Sequence, residues 1–174
     1  KVIEGDSVIA GDAGYMETVH RFFEKRGYRA GDTIDYRQVP FADPYFAYFL
    51  HTGDSRFTGP YLEESRRMTR ELPRTPEGAV CILHNGQPYM LIDYLQHYTI
   101  RMARAGSMSG DTLFFDECIG QFRKYREILR YNPSGLYSQG RGWLEDPEKL
   151  SPSCWSRGQG WLIRGMVTSL EFLP

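Results

Sequence analysis

The densest grouping of side chains with chemistry to offer lies at 151–165, SPSCWSRGQGWLIRG. Trp155, Arg157, Gln159 and Trp161 fall within seven residues, separated by Ser156, Gly158 and Gly160. A helix core would repeat its large residues at intervals of three and four, and a linker would not carry two tryptophans. A helix capped by Ser151, Ser153 or Ser156 would place Arg157 in or near its first turn, ahead of the apolar run Trp161-Leu162-Ile163 and Met166-Val167. There, unpaired backbone N–H groups and a permanently charged, planar guanidinium can act on the same anion. The indoles offer flat faces of the kind sugar rings stack against. The competing assignment puts both tryptophans in the core and Arg157 in water. Gly158-Gln159-Gly160 lacks the apolar strand that a phosphate cradle needs before it.

A second stretch, 86–96, reads GQPYMLIDYLQ. Here Asp93 is set among Met90, Leu91, Ile92, Tyr94 and Leu95, so its carboxylate either points out to water or is held in a pocket. If the segment is helical, Tyr89 at −4 and Gln96 at +3 share its face. Tyr, Asp and Gln together make a polar, aromatic surface suited to a sugar; the alternative is an exposed helix face. No second carboxylate stands out beside Asp93, so a two-carboxylate glycosidase pair is not evident. His84 and His97 fit packed histidines at least as well as catalysts.

The rest of the chain must position these groups. At 174 residues it is long enough for one domain with a real core. A net charge of −1 argues against a general nucleic-acid binder, which would show a basic face. Cys81, Cys118 and Cys154 are far apart and odd in number, which gives neither a disulfide framework nor zinc spacing. His20, His51, His84 and His97 form no metal-binding pair, and no run of 18 apolar residues is present to cross a membrane. No leader is visible, and compartment is left open between bacterial cytoplasm and periplasm.

Periodicity predicts helices over 10–26, 43–51, 58–72, 88–104, 113–129 and 160–173. Between them, 77–87 is irregular or a short strand pair turning at Asn85-Gly86, 136–143 is loop or short strand, and Asp146-Pro147 begins a turn. Asp116 and Glu117 are assigned to the first turn of their helix. Thr52-Gly53-Asp54 and Ser109-Gly110-Asp111 each end one helix and precede another that opens on aromatics. This repeat predicts stacked helical hairpins, an all-α fold in which each hairpin buries its face on the next.

Five segments in order carry a resemblance: Arg74-Thr75-Pro76-Glu77-Gly78; Gln87 to Asp93; Phe115-Asp116-Glu117 with Gln121-Phe122; Ser134-Gly135-Leu136-Tyr137; and Trp155-Ser156-Arg157-Gly158-Gln159-Gly160-Trp161. Together they resemble the unsaturated glucuronyl and rhamnogalacturonyl hydrolases of glycoside hydrolase families 88 and 105, along most of the chain. The resemblance implies an (α/α)6 toroid of six hairpins with its site at one mouth. It implies removal of a 4,5-unsaturated uronic acid from the non-reducing end of lyase-generated oligosaccharides, by hydration of the C4=C5 bond. Asp93 matches the general acid and base, and Arg157 matches a group near the uronate carboxylate. Trp155, Trp161, Gln139, Gln159, Tyr89 and His84 are the further candidates for holding the sugar, and no cofactor is expected.

The chain departs from that pattern in three places. A second site aspartate is usual, and Asp35 in Asp35-Tyr36-Arg37-Gln38 is the candidate for it. Where many members have histidine after the Gly-Leu-Tyr segment, this chain has Ser138-Gln139; Gln139 can hold a hydroxyl but carries no charge. Full members are about twice as long, so residues 1–174 are expected to form one domain that is about half of a toroid, with open apolar faces that favour self-association. Two other functions fit the composition: a non-catalytic helical scaffold that binds carbohydrate, and more faintly a 2-epimerase, which would need a set of histidines at the mouth.

Overall fold

A computed structural model describes residues 58–130, 134–142 and 146–174, together with Glu17, Arg21 and Phe46. The chain divides into two compact units, 1–68 and 69–174. In the first, Glu17 and Arg21 are helical and form an i,i+4 ion pair at 3.0 Å. Phe46 is helical and buried, its ring 6.0 Å from that of Tyr61. The predicted helices 10–26 and 43–51 otherwise lie outside the described residues, as do Asp35 and the first Gly-Asp turn. Helix α1, Thr58–Glu71, matches its predicted start and stops one residue early.

The second unit is a helical hairpin, one further helix and a small sheet. Strands β1 (Ile82–His84) and β2 (Gln87–Leu91) pair antiparallel around Asn85-Gly86, whose φ values of 49° and 76° are those of a tight hairpin turn. Helices α2 (Ile92–Ser109) and α3 (Thr112–Leu129) follow. Strand β3 (Gly140–Arg141) adds to the far side of β2, with Leu91 opposite Gly140 and Met90 opposite Arg141. Helix α4, Ser156–Leu170, completes the unit.

Several helix boundaries differ from those the sequence predicts. Residues 88–91 extend as part of a strand rather than a helix, because β1 and β3 take up hydrogen bonds on both of its edges. Helix α2 therefore begins at Ile92 and runs five residues beyond the predicted end. Helix α4 begins at Ser156, four residues earlier than predicted, where Gly158 fits against Ile92. No serine caps α4: the N-cap is Trp155, and Ser151 instead bonds Gly140 through both its amide and its hydroxyl.

The α2–α3 turn follows its residue types closely. Gly110 ends α2 at φ 70°, a conformation side chains disfavour, and its N–H donates to Gly106 O. Asp111 then caps α3, its carboxylate accepting from Leu113 N at 3.1 Å. The core beneath joins Met90, Ile92 and Leu95 to Tyr125, Leu129, Tyr137 and Leu162. Each large apolar side chain here stabilises by roughly 1.5–3 kcal/mol.

The 73–81 loop is fastened to this core by polar groups. The Gln121 carboxamide accepts from Val80 N at 2.8 Å and donates to Gly78 O at 3.1 Å, while Tyr125 donates to Val80 O at 2.6 Å. Glu117 is not a first-turn residue: its Oε1 takes bonds from Arg74 (2.8 Å), Tyr98 (2.9 Å) and Gln121 (3.1 Å). Two of the segments that carry the family resemblance are therefore the two halves of one internal brace.

Candidate functional site

Helices α2 and α4 pack side by side and run in the same direction. Near their starts, a Cβ at Gly158 would stand 2.7 Å from Ile92 Cγ2; further along, one at Gly165 would stand 3.1 Å from Gln96 Cα. Near their ends, the Arg104 guanidinium lies over the Phe172 ring at 5.4 Å. Parallel helices begin at the same end, so the first turns that carry Asp93 and Arg157 adjoin. One turn on, His97 and Trp161 face one another with ring centroids 6.5 Å apart.

Asp93 is the second residue of α2 and partly exposed. A carboxylate there is favoured by the positive end of the helix dipole. Tyr89, on β2, is not a helix-face neighbour of Asp93, and Gln96 is fully buried against Gly165, so the predicted Tyr89–Asp93–Gln96 face does not form. Tyr89 approaches Asp93 from the sheet instead. Burial raises its phenol pKa, and the charges of Tyr94 and Asp93 raise it further. Tyr94 behaves likewise, pushed up by burial and then by Asp93. Tyr94, set among apolar residues in the sequence, is a further polar neighbour of Asp93. His84 is exposed at the hairpin tip, its ring 6.0 Å from that of Tyr89.

Arg157 is exposed in the first turn of α4, its guanidinium 4.0 Å from the centre of the Trp155 ring. Such stacking restrains the side chain while leaving its N–H edge available. Arg164 lies over Trp161 at 6.0 Å. Gln139 sits on the segment between α3 and β3. Its N–H donates to Ser153 O at 3.2 Å and its carbonyl accepts from Ile92 N at 3.0 Å. That second bond satisfies the first orphan N–H of α2, which no side chain caps. Gln159 accepts from Tyr137 N at 3.1 Å and donates to Tyr137 O at 2.7 Å.

The structure thus gathers Asp93, Tyr89, Tyr94, Gln139, Trp155 and Arg157 around the shared start of α2 and α4. Trp161 stands one turn below, and Asp35 lies outside the described residues. Among the described residues no three His, Cys, Asp or Glu side chains form a metal-sized group, and no helix is long and apolar enough to cross a membrane.

The sequence pattern described as Glycosyl Hydrolase Family 88 matches residues 8–174. No curated protein matches the chain. Among solved structures, a family 105 glycoside hydrolase from C. acetobutylicum ATCC 824 superposes with a TM-score of 0.79 at 20% identity, over 99% of this chain and 51% of that one. A possible member of the GH105 family from Klebsiella pneumoniae gives 0.80 at 22%, over 99% and 46%. An unsaturated glucuronyl hydrolase specific for heparin gives 0.73 at 17%, over 97% and 48%. The fold is therefore that of these helical-hairpin hydrolases, and the chain spans about half the length of the structures it matches.

Proposed function

The chain belongs to glycosyl hydrolase family 88, and on that premise we propose that it serves the removal of a 4,5-unsaturated uronic acid from the non-reducing end of an oligosaccharide. The observation that carries this reading is the pairing of Asp93 and Arg157 on the first turns of two parallel, packed helices. An anionic sugar bound there meets a planar cation, two positive helix ends and a carboxyl group together.

In the proposed reaction, Asp93 delivers a proton to C4 of the double bond. The positive charge that develops at C5 is shared with the ring oxygen. The resulting carboxylate then takes a proton from a water molecule as the water oxygen bonds to C5. Water has been added across C4=C5 and the carboxyl group is restored. The hydroxyl now on C5 makes that carbon a hemiketal, which opens; C1, left with a hydroxyl and the neighbouring sugar's oxygen, releases that sugar. No cofactor takes part.

Arg157 is assigned to the uronate carboxylate, with Trp155 behind it limiting its swing. Trp155 and Trp161 offer ring faces, Gln139 a hydroxyl partner, and Tyr89 and His84 the rim on the sheet side. Asp35 is proposed as the second site aspartate. In the complete enzyme the hairpins would close into a six-hairpin ring. For the isolated chain, the exposed stripe Ile163, Val167 and Leu170 on α4 favours self-association.

The test is to incubate the protein with lyase-generated disaccharides and follow the ultraviolet band of the unsaturated uronate. Disappearance of the band with release of the neighbouring sugar supports hydration. Saturable binding with the band intact would make the chain a carbohydrate-binding scaffold instead.

A further inference from the structure

Residues 137–140 lead from the α3–β3 connection into β3, and almost every backbone polar group in them has a partner elsewhere in the fold. Ser138 N donates to Leu129 O at 2.7 Å. Gln139 is bonded through N to Ser153 and through O to Ile92. Gly140 exchanges bonds with Ser151 through N and O. Among the described residues, Tyr137 N and O have no backbone partner of this kind. Both are taken by one side chain, the Gln159 carboxamide, which presents an acceptor and a donor side by side.

Gln159 lies two residues after Arg157 on α4, and Gln139 O bonds the first amide of α2, next to Asp93. The path from the arginine to the aspartate therefore runs from α4 through the Gln159 carboxamide to Tyr137, along the chain to Gln139, and across to Ile92. Gly158 also packs directly on Ile92.

We propose that Gln159 is a positioning residue rather than a sugar ligand: by pairing with both polar groups of Tyr137 it fixes the 137–140 segment between the turns that carry Asp93 and Arg157. Two of the four hydrogen-bond sites of its carboxamide are already taken by Tyr137. The consequence for catalysis rests on the function proposed above; the clamp itself does not.

Two variants separate the possibilities. Gln159→Leu keeps the bulk and removes both bonds. Gln159→Glu keeps the acceptor for Tyr137 N but sets a carboxylate oxygen against Tyr137 O; on protonation the new carboxyl regains a donor, so the clamp should return as pH falls. Amide hydrogen exchange at Tyr137 and Ile92 reads the clamp directly, with Met102 in the middle of α2 as the reference. In either variant at neutral pH, protection of the Tyr137 amide is expected to fall by about tenfold, the scale of losing one net hydrogen bond, with Met102 unchanged. In Gln159→Glu it should recover relative to wild type between about pH 7 and pH 5. With unsaturated disaccharide, kcat should fall by about tenfold while KM moves by less than about threefold, as for misplaced groups rather than a lost contact.

Unchanged protection at Tyr137 in Gln159→Glu, or a raised KM with kcat held, would overturn the proposal and return Gln159 to the sugar. Should Gln159→Leu fail to fold, the pH recovery in Gln159→Glu decides alone. If wild-type protein leaves the disaccharide intact, the proposed function falls, and the exchange data still judge the clamp.

Discussion

Arg141 grips Glu77 with both arms of its guanidinium, Nη1 to Oε1 at 2.7 Å and Nη2 to Oε2 at 2.8 Å. The two residues are 64 apart in sequence, and the bond ties the 73–81 loop to β3. Arg141 is nearly buried, Glu77 only half so, and Glu148 adds a longer contact at 3.3 Å. Hydrogen bonds from Arg141 first, and from Thr75 second, hold the Glu77 carboxyl at about 2, against an ordinary 4.5. A carboxyl depressed in the fold stabilises above its unfolded value, and that contribution is lost as pH falls from 4.5 towards 2. Glu77→Gln should therefore lower stability by about 1–2 kcal/mol at neutral pH, and by progressively less through this acid window. Thermal unfolding followed by circular dichroism at a series of pH values checks it. Parallel curves for mutant and wild type would mean that the pair contributes nothing pH-dependent.

The close approach of α2 and α4 depends on a missing side chain. A methyl at Gly158 would press on Ile92 Cγ2 at 2.7 Å and on Trp155 Cε3 at 3.1 Å, and a branched Ile has little room to give. Alanine normally favours a helix over glycine by about 1 kcal/mol. Here the crowding should win, so that Gly158→Ala is neutral to destabilising and Gly158→Val costs about 1–3 kcal/mol. Because the strain falls between the turns that carry Asp93 and Arg157, turnover should suffer beyond what the loss of folded protein explains. A methyl at Gly160 would meet no atom within 4 Å, so Gly160→Ala is the matched control, expected to be harmless. Equal melting temperatures for Gly158→Val and Gly160→Ala would show that the helices can part at no cost.

Local signals were enough to read the hairpin elements. Gly110 and Asp111 mark the α2–α3 turn by residue type alone, and α3 follows from apolar spacing at Phe114, Cys118 and Tyr125, all buried. What could not be read were states set by distant partners. Residues 88–91 look like the start of a helix, with Pro88 in a position suited to one. They become a strand because Gly140 and Arg141, some fifty residues later, pair with Leu91 and Met90. The start of α4 depends on Ile92, which the spacing around Gly158 does not announce. Glu117 reads as a first-turn acid until Arg74, Tyr98 and Gln121 are seen to converge on it. At the site, the sequence marked Asp93 and Arg157 but not the backbone groups Gln159 would hold, since Tyr137 N and O leave no trace in residue type.

Arg157→Lys keeps the charge and removes the plane. Lysine cannot copy a bidentate contact with a carboxylate, and its compact ammonium would replace the guanidinium that stands 4.0 Å from the centre of the Trp155 ring. KM for an anionic unsaturated sugar should rise by about tenfold or more, with a smaller change in kcat. Steady-state rates across a range of disaccharide concentrations measure it. Unchanged kinetics would place Arg157 on the solvated face of α4, with the Trp155 stack serving structure alone.

Asp93→Asn tests the chemistry itself. Hydration needs a proton delivered to one carbon and a water molecule deprotonated as it attacks the next, and a single carboxyl can do both in turn. The amide of asparagine matches the carboxylate in size and still hydrogen-bonds a hydroxyl, but it neither gives nor takes the proton. The fold should tolerate the change, because Asp93 is partly exposed and the first bond of α2 is made by Ile92 N to Gln139 O. Some helix-dipole stabilisation is lost, on the order of 0.5 kcal/mol. With folding intact, kcat is expected to drop by roughly 10²-fold or more, the scale of losing a positioned acid–base group, while KM moves little. The measurement is the steady-state loss of the unsaturated band for mutant and wild type side by side, with circular dichroism confirming equal folding. A kcat within a few fold of wild type would remove Asp93 from the acid–base role and make Asp35 the next residue to replace.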